Sequence, residues 1–226
     1  MQFKEGTVNA LVGPSGSGKS TIAKLVAALW DVDEGSISIG GVNIKDMPMD
    51  FYNEKVAYVS QDNYLFDIPI MENIRMGKAG ASDEEVIAAA KNSGCHEFIM
   101  ALEKGYDTPL SRAFDPNGIE LSVGQKQRVA LARAYFKDAP IIVLDEPSAS
   151  IDPEAEAEIL KAVNEMRGTR NIWLISHRLS TCVISDRILL FKDGQLIGNG
   201  SHDELINSNS EYKRMFQLQA DRYEVS

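Results

Sequence analysis

The sequence predicts an α/β fold: a mostly parallel sheet with helices, an antiparallel β lobe incomplete at the N-terminus, and an inserted α-helical subdomain. Three observations carry this. Thr7 to Val12 reads as a buried strand running into a glycine-rich turn, after which Ile22, Leu25, Val26 and Leu29 recur at helical spacing. Ile141 to Leu144 and Asn171 to Ser176 are continuous apolar runs, the pattern of central parallel strands covered on both faces. Between these two runs Ile159, Leu160, Val163 and Met166 mark a helix, and strands alternating with helices imply a parallel sheet. Residues 62–137 carry helical patterns and no clear strand. The expectation is a single domain over 1–226, in which 1–61 and 138–226 form the core with the β lobe and C-terminal helices, and 62–137 the helical subdomain.

The remaining elements follow from local chemistry. Ser36 to Ile39, Gly40-Gly41 and Val42 to Ile44 read as a β-hairpin. Val56 to Ser60 is a short apolar strand with Gln61 at its exit. Ser82 with Glu85 forms a capping box for a helix through Lys91, and Gly94 suits its stop. Phe98 to Glu103 reads as a short helix ended near Gly105, and Ser122 caps one running to about Phe136. Asp152-Pro153 places a cap residue before a proline at the first helical position, and Gly168 ends that helix. Ile188 to Phe191 and Gln195 to Ile197 flank Lys192-Asp193-Gly194 as a second hairpin. Ser201 and Glu204 make a capping box for the C-terminal helices. Phe3 is expected in the strand leading into the glycine-rich turn.

Bulk properties narrow the function. The chain has 226 residues, 44% of them apolar, enough for a packed core. No stretch approaches the roughly 18–20 apolar residues of a membrane helix, and Lys4 and Glu5 stand where a signal peptide would turn apolar. A net charge of −10 argues against nucleic acid as partner, whose binders carry basic footprints. Cys95 and Cys182 lack metal-ligand spacing and read as buried thiols in a reducing compartment.

The chemistry concentrates in the run Gly13-Pro14-Ser15-Gly16-Ser17-Gly18-Lys19-Ser20-Thr21, which fits G-x-x-x-x-G-K-[ST] between a strand and a helix. Such a turn aims backbone N–H groups and a helix N-terminus at one point, where a highly charged anion belongs. Lys19 then reaches the β- and γ-phosphates of a nucleotide, and the Ser20 hydroxyl ligates Mg²⁺. The core is thus expected to be a P-loop NTPase core. Four apolar residues followed by Asp145-Glu146 look like a Walker B strand. Asp145 holds Mg²⁺ through water, and Glu146 polarises a water for attack on the γ-phosphate.

The third motif is Leu121-Ser122-Val123-Gly124-Gln125, unremarkable alone as a helix cap. The order of motifs decides: P-loop, Gln61, Leu-Ser-x-Gly-Gln, Walker B, then His177 after a strand resembles the ATP-binding cassette (ABC) ATPases over essentially the whole chain. Ser148 to Asp152 resembles the family's D-loop and His177 its switch histidine. Gln61 to Phe66, Glu72 to Arg75, Gly105 to Thr108 and Gly200 to Leu205 resemble phrases of the exporter branch. His96 and His202 are left as surface or helix-start residues.

The resemblance implies ATP and Mg²⁺ as cofactors and a dimer, homo- or heteromeric, with two ATP molecules at its interface. Each nucleotide lies between one P-loop and the other subunit's signature helix, so Ser122, Gly124 and Gln125 serve the partner's ATP. His177 contacts the γ-phosphate, and Gln61 touches Mg²⁺ or the attacking water. The helical subdomain docks onto a transmembrane domain, at the cytoplasmic side of the cell membrane.

Three departures from the family stand out. Val123 replaces the first glycine of Leu-Ser-Gly-Gly-Gln, which implies a weakened contact and tilts toward a heterodimer. Ser111 to Gly118 lacks the usual acidic-glycine cross-talk element. With the P-loop beginning at Gly13, there is no room for the upstream strands and the aromatic that stacks on adenine. Stacking contributes about 1–3 kcal/mol, so the expectation is a piece of a longer polypeptide with ATP affinity about 10- to 100-fold lower. Two rivals to an exporter ATPase are considered. A non-transport ABC ATPase would carry coiled coils, tandem cassettes or basic surfaces. A regulatory or degenerate subunit of a heterodimeric transporter, with little ATPase activity of its own, would have lost Glu146 or His177.

Overall fold

The computed structural model describes residues 2–111, 115–147, 151, 153–168, 170–178 and 180–224. In chain order the elements are β1 (Val8–Val12), α1 (Lys19–Val26), β2 (Ser38–Ile39), β3 (Val42–Asn43), α2 (Met49–Lys55), β4 (Val56–Val59), α3 (Ile70–Arg75), α4 (Asp83–Asn92), α5 (His96–Met100), α6 (Val123–Phe136), β5 (Ile141–Asp145), α7 (Pro153–Glu165), β6 (Asn171–Ile175), α8 (Ser180–Val183), β7 (Arg187–Lys192), β8 (Gln195–Gly200), α9 (His202–Ser208) and α10 (Ser210–Glu224). Two compact units result. One comprises Met1–Val56, Pro140–Glu146 and Arg167–Ser226, the other Ala57–Ala139 and Pro147–Met166.

In the first unit the strands follow the order β5-β6-β1-β7-β8. β1 is central: Val8 pairs with Ile172 and Asn9 with Arg187, both in parallel. β7 and β8 are antiparallel across Asp193 and Gly194, whose φ values of 48° and 76° suit a tight hairpin turn. All five residues of β1 are buried, as a strand covered on both faces demands. Ala10 and Val12 of β1 and Ile188 and Leu190 of β7 share a face with Cys182, Leu205 and Tyr212 of α8, α9 and α10. α1 packs on β5 and β6. The sheet is therefore mostly parallel, with helices, as the apolar runs imply. A second, two-stranded antiparallel sheet pairs Ser38 with Asn43.

Several local expectations shift. Phe3 lies outside β1; its ring packs on Trp173 at 4.4 Å, tilted by 55°, with the Arg187 guanidinium 5.2 Å above it. The hairpin shrinks to two residues per strand around Gly40 and Gly41, both at positive φ, and Ile44 opens a 3-10 turn. The helix after the P-loop stops at Val26, so Leu29 is exposed instead of continuing its apolar face. The stop is a Schellman motif without glycine: Ala28 takes φ 51°, its N–H bonds Leu25 O, and Leu29 N–H bonds Lys24 O. The short helix expected from Phe98 starts earlier, at His96, and ends at Met100. α2 was not foreseen. Asp152 and most of the D-loop-like segment lie outside the described residues, as do Arg112 to Phe114.

α2 contributes a polar anchor to the end of α1. The fully buried Tyr52 hydroxyl donates to the carbonyl of Val26, and burial pushes its phenol up to about 12. Tyr52→Phe leaves that carbonyl without its partner and is expected to cost about 1–2 kcal/mol in urea unfolding. A phenol whose folded pKa exceeds its unfolded one contributes stability below about pH 10, lost as pH rises through about 12. Tyr52→Phe should therefore also flatten alkaline destabilisation over that window.

In the second unit α6 is the spine, with α3 and α4 packed along it. Ile70, Ile74, Val86, Ile99, Leu121 and Val129 belong to its core. Ser82 and Glu85 form the expected reciprocal cap of α4, and Gly94 turns the chain at φ 70°. The fully buried Asn73 is the polar hub. Its amide donates to the carbonyls of Phe66 and Ile68 at 3.0 and 3.1 Å, while Arg133 Nη2 donates to its Oδ1 at 2.9 Å.

Candidate active site

The first unit brings Gly13–Ser20, Asp145, Glu146 and His177 to one place through parallel pairing of β1, β5 and β6, whose carboxyl ends open onto the same edge. Ligands of open α/β sheets bind there. The loop is backbone-built. Gly13 sits at φ 149°, and a Cβ there would lie 2.1 Å from the carbonyl oxygen of Phe191. Gly18 takes φ 95° at the N-cap of α1 and offers no side chain to its first turn, leaving that turn's amides to face outward. The loop closes on itself through Ser17 N–H to Pro14 O at 3.2 Å, and Gly194 N–H reaches Ser17 O at 3.3 Å.

Lys19 is 5% exposed. Its ammonium donates to the carbonyls of Gly13 and Pro14, each at 2.9 Å, and lies 3.4 Å from Ser17 Oγ. Burial pulls its pKa below the usual lysine value, opposed by the charges of Glu146 and Asp145. The cation is thus poised at the loop's mouth with loop carbonyls as its partners, positions an entering phosphate oxygen can take over.

Ser20 Oγ donates to Asp145 Oδ1 at 3.0 Å. This hydroxyl–carboxylate pair, with Asp145 buried at the end of β5, is the donor set of a hard divalent cation that keeps its waters. Glu146 follows at φ 51°, a left-handed conformation costly for a residue with a Cβ. Its N–H bonds Ile175 O at 2.9 Å, which holds the strained turn, and its carboxylate lies 3.4 Å from His177 Nδ1. Glu146 and His177 thereby face each other across the ends of β5 and β6. Pro14, Ser15 and Gly16 complete the rim, and Thr21 lies exposed in the first turn of α1.

The remaining candidates lie in the second unit. Gln61 is exposed just after β4, its carbonyl accepting from Asn63 Nδ2 at 3.1 Å. Ser122 and Gln125 are partners of each other: Ser122 Oγ accepts from Gln125 N–H at 3.2 Å, and Gln125 Oε1 from Ser122 N–H at 2.9 Å. Val123 is the first residue of α6, so it meets no demand for positive φ, and half of it faces solvent. A Cβ at Gly124 would meet only Ile151 and Ala155 at 3.7 and 3.8 Å, ordinary contact distances. His96 and His202 each open a helix and bond a tyrosine hydroxyl, Tyr106 at 2.8 Å and Tyr212 at 2.9 Å. Sequence reasoning missed the cavity of about 390 Å³ beside Tyr58, Tyr64, Phe66, Met76, Arg133 and Lys137. Its rim includes Tyr64 and Phe66, whose exposed rings meet edge to face at 5.3 Å.

Comparison with known proteins agrees with this geometry. A family model described as ABC transporter matches residues 1–149. The "Uncharacterized ABC transporter ATP-binding protein y4gM" of Sinorhizobium fredii is 41% identical over 96% of this chain and 36% of its own length. The "Putative multidrug export ATP-binding/permease protein YgaD" of Bacillus subtilis is 39% identical over 97% of this chain and 37% of its own. A solved bacterial Atm1-family ABC exporter with ATP bound superposes with a TM-score of 0.88 at 40% identity, covering 96% of this chain and 37% of that one. The chain spans little more than a third of the length of these relatives. With the family model matching well over half of the residues, the chain belongs to the ABC transporter family, as an exporter-type ATP-binding domain.

Proposed function

We propose that this domain hydrolyses ATP and drives an exporter through nucleotide-dependent dimerisation. The observation that carries the reading is the constellation at one sheet edge: a buried lysine in a glycine-built loop, Ser20 on Asp145, and Glu146 facing His177. The loop amides and Lys19 bind the phosphates; Ser20 and Asp145 would hold Mg²⁺, which would supply charge neutralisation to the phosphates, and the family resemblance assigns Gln61 the sensing of Mg²⁺ or the attacking water. Glu146 accepts a proton from the attacking water, and His177 orients that exchange and contacts the γ-phosphate. Ser122, Gly124 and Gln125 present the N-terminus of α6 to the nucleotide of a second cassette. Because Ser122 and Gln125 already cap that helix, their contribution there comes mainly from the helix terminus they hold in shape.

The second unit is read as the side that meets a transmembrane domain at the cytoplasmic face of the membrane. Support comes from the exposed aromatic rim of its cavity and from relatives whose names join ATP-binding and permease functions. Among the described residues no helix is long and apolar enough to cross a membrane. The presence of both Glu146 and His177 favours a hydrolytic over a purely regulatory subunit.

The test is the mass in solution of Glu146→Gln with and without Mg-ATP. A doubling that needs ATP supports composite sites closed by two cassettes. A folded protein that stays monomeric over saturating Mg-ATP counts against self-dimerisation and would move the reading to a different partner cassette.

A further inference from the structure

The position of the His177 imidazole depends on the short turn that leaves β6. That turn is held at three points. Ser176 Oγ accepts from Arg178 N–H at 2.9 Å, and Thr181 Oγ1 donates to Arg178 O at 2.6 Å. Both are local. The third is not: the carboxamide of Gln219, on α10, donates to the carbonyl of His177 itself, 42 residues away in sequence.

Gln219 is part of a docked helix face. Tyr212, Phe216 and Gln219 are spaced i, i+4, i+7 and so share one side of α10. Tyr212 is fully buried, its hydroxyl bonded to His202 Nδ1 and to the Cys182 thiol on α8. Phe216 and Met215 pack against the cluster that holds β1 and β7. The same face thus touches α8 through Tyr212 and the His177 turn through Gln219, two turns further on. Its register is fixed by the apolar core, and Gln219 passes that register to a backbone carbonyl beside the catalytic pair.

We propose that Gln219 is a positioning residue for ATP hydrolysis: its amide fixes the His177 carbonyl and, through that turn, keeps the imidazole facing Glu146. This rests on the hydrolytic reading above. It assigns the C-terminal helix a part in turnover, because the Gln219 amide meets the turn that carries His177. Displacements of about 1 Å at a reacting group can cost up to about 100-fold in rate; loss of one such restraint is expected to lower kcat about five- to thirtyfold.

The experiment compares Gln219→Ala, Gln219→Glu and Gln219→Lys in the intact protein, measuring kcat and KM for Mg-ATP. Glutamate keeps the shape and presents no proton to the carbonyl; lysine keeps a donor of similar reach. The expected result is a lowered kcat with KM within about twofold for Ala and Glu, and recovery of most turnover with Lys. In a His177→Ala background Gln219→Ala should add nothing, since no imidazole remains to be positioned. Equal losses in both backgrounds would show a merely structural role and overturn the proposal, as would unchanged kcat in Ala and Glu. If Ala fails to fold, the Glu and Lys variants carry the comparison. Glu146→Gln, run alongside, separates the two readings: turnover that survives it defeats the hydrolytic assignment, whereas its loss beside an unaffected Gln219→Glu defeats only the role of Gln219.

Discussion

Glu146→Gln is expected to lower ATP turnover by about 10²- to 10⁴-fold, the range over which a positioned general base acts, while leaving nucleotide affinity close to that of the parent. The argument is local. Glu146 occupies a left-handed backbone conformation held by its N–H to Ile175 O, so its carboxylate is aimed by the main chain and a glutamine will occupy the same volume. What glutamine lacks is the basic oxygen. His177 at 3.4 Å does not replace it on the proposed reading, because the imidazole orients and the carboxylate accepts the proton. Phosphate release under saturating Mg-ATP, with nucleotide affinity measured separately, checks this. Turnover within tenfold of the parent would remove Glu146 as the base and shift attention to His177.

Lys19→Met should have the second largest effect, and on a different quantity. Hydrogen bonds to a charged group contribute about 1.5–3 kcal/mol, so ATP affinity is expected to fall about ten- to a hundredfold or more. Folding should tell the opposite story. Burial disfavours the Lys19 ammonium, as the downward push on its pKa records, and methionine fills the same stem volume without that cost. The carbonyls of Gly13 and Pro14 lose their donor, which offsets part of the relief. The nucleotide-free variant should therefore lose no more than about 1 kcal/mol in urea unfolding while its ATP binding collapses. A large loss of stability with affinity retained would mean that Lys19 serves the loop rather than the ligand.

Much of this site was legible because its chemistry is written in neighbouring residues. Gly13 to Ser20 is contiguous, and its backbone needs, such as the close approach of Gly13 to Phe191, are needs only glycine meets. The capping boxes expected at Ser82 and Ser201 span four residues each and both formed, and the cap expected at Ser122 formed as a box with Gln125. What the sequence hid depends on distance or on an atypical residue. The stop of α1 uses Ala28 where glycine would have announced it, so the apolar pattern ran on to Leu29. Phe3 was expected in the strand before the glycine-rich turn but lies outside it, because its partner, Trp173, is far off in the chain. Asn73 falls in the Glu72 to Arg75 stretch, where nothing local announces Arg133, 60 positions on, as its partner. Gln219 sits in a polar C-terminal stretch, and nothing local connects it to His177.

The central place of β1 has a consequence for the order in which the protein can be made. The glycine loop hangs from a strand at residues 8–12, yet that strand's two neighbours are β6 and β7, with Val8 on Ile172 and Asn9 on Arg187. During synthesis this strand, apolar but for Asn9, must wait for about 160 residues of chain before β6 can close one flank, and longer for β7. Loop-closure entropy grows slowly with such spans, but folding rate falls steeply as contacts become non-local. Within this domain the phosphate-binding loop is therefore translated before the strands that hold it and is among the last segments to acquire its shape. Chains stalled before β7 should carry an intact motif that binds no nucleotide, and an apolar strand open to chaperones or to aggregation.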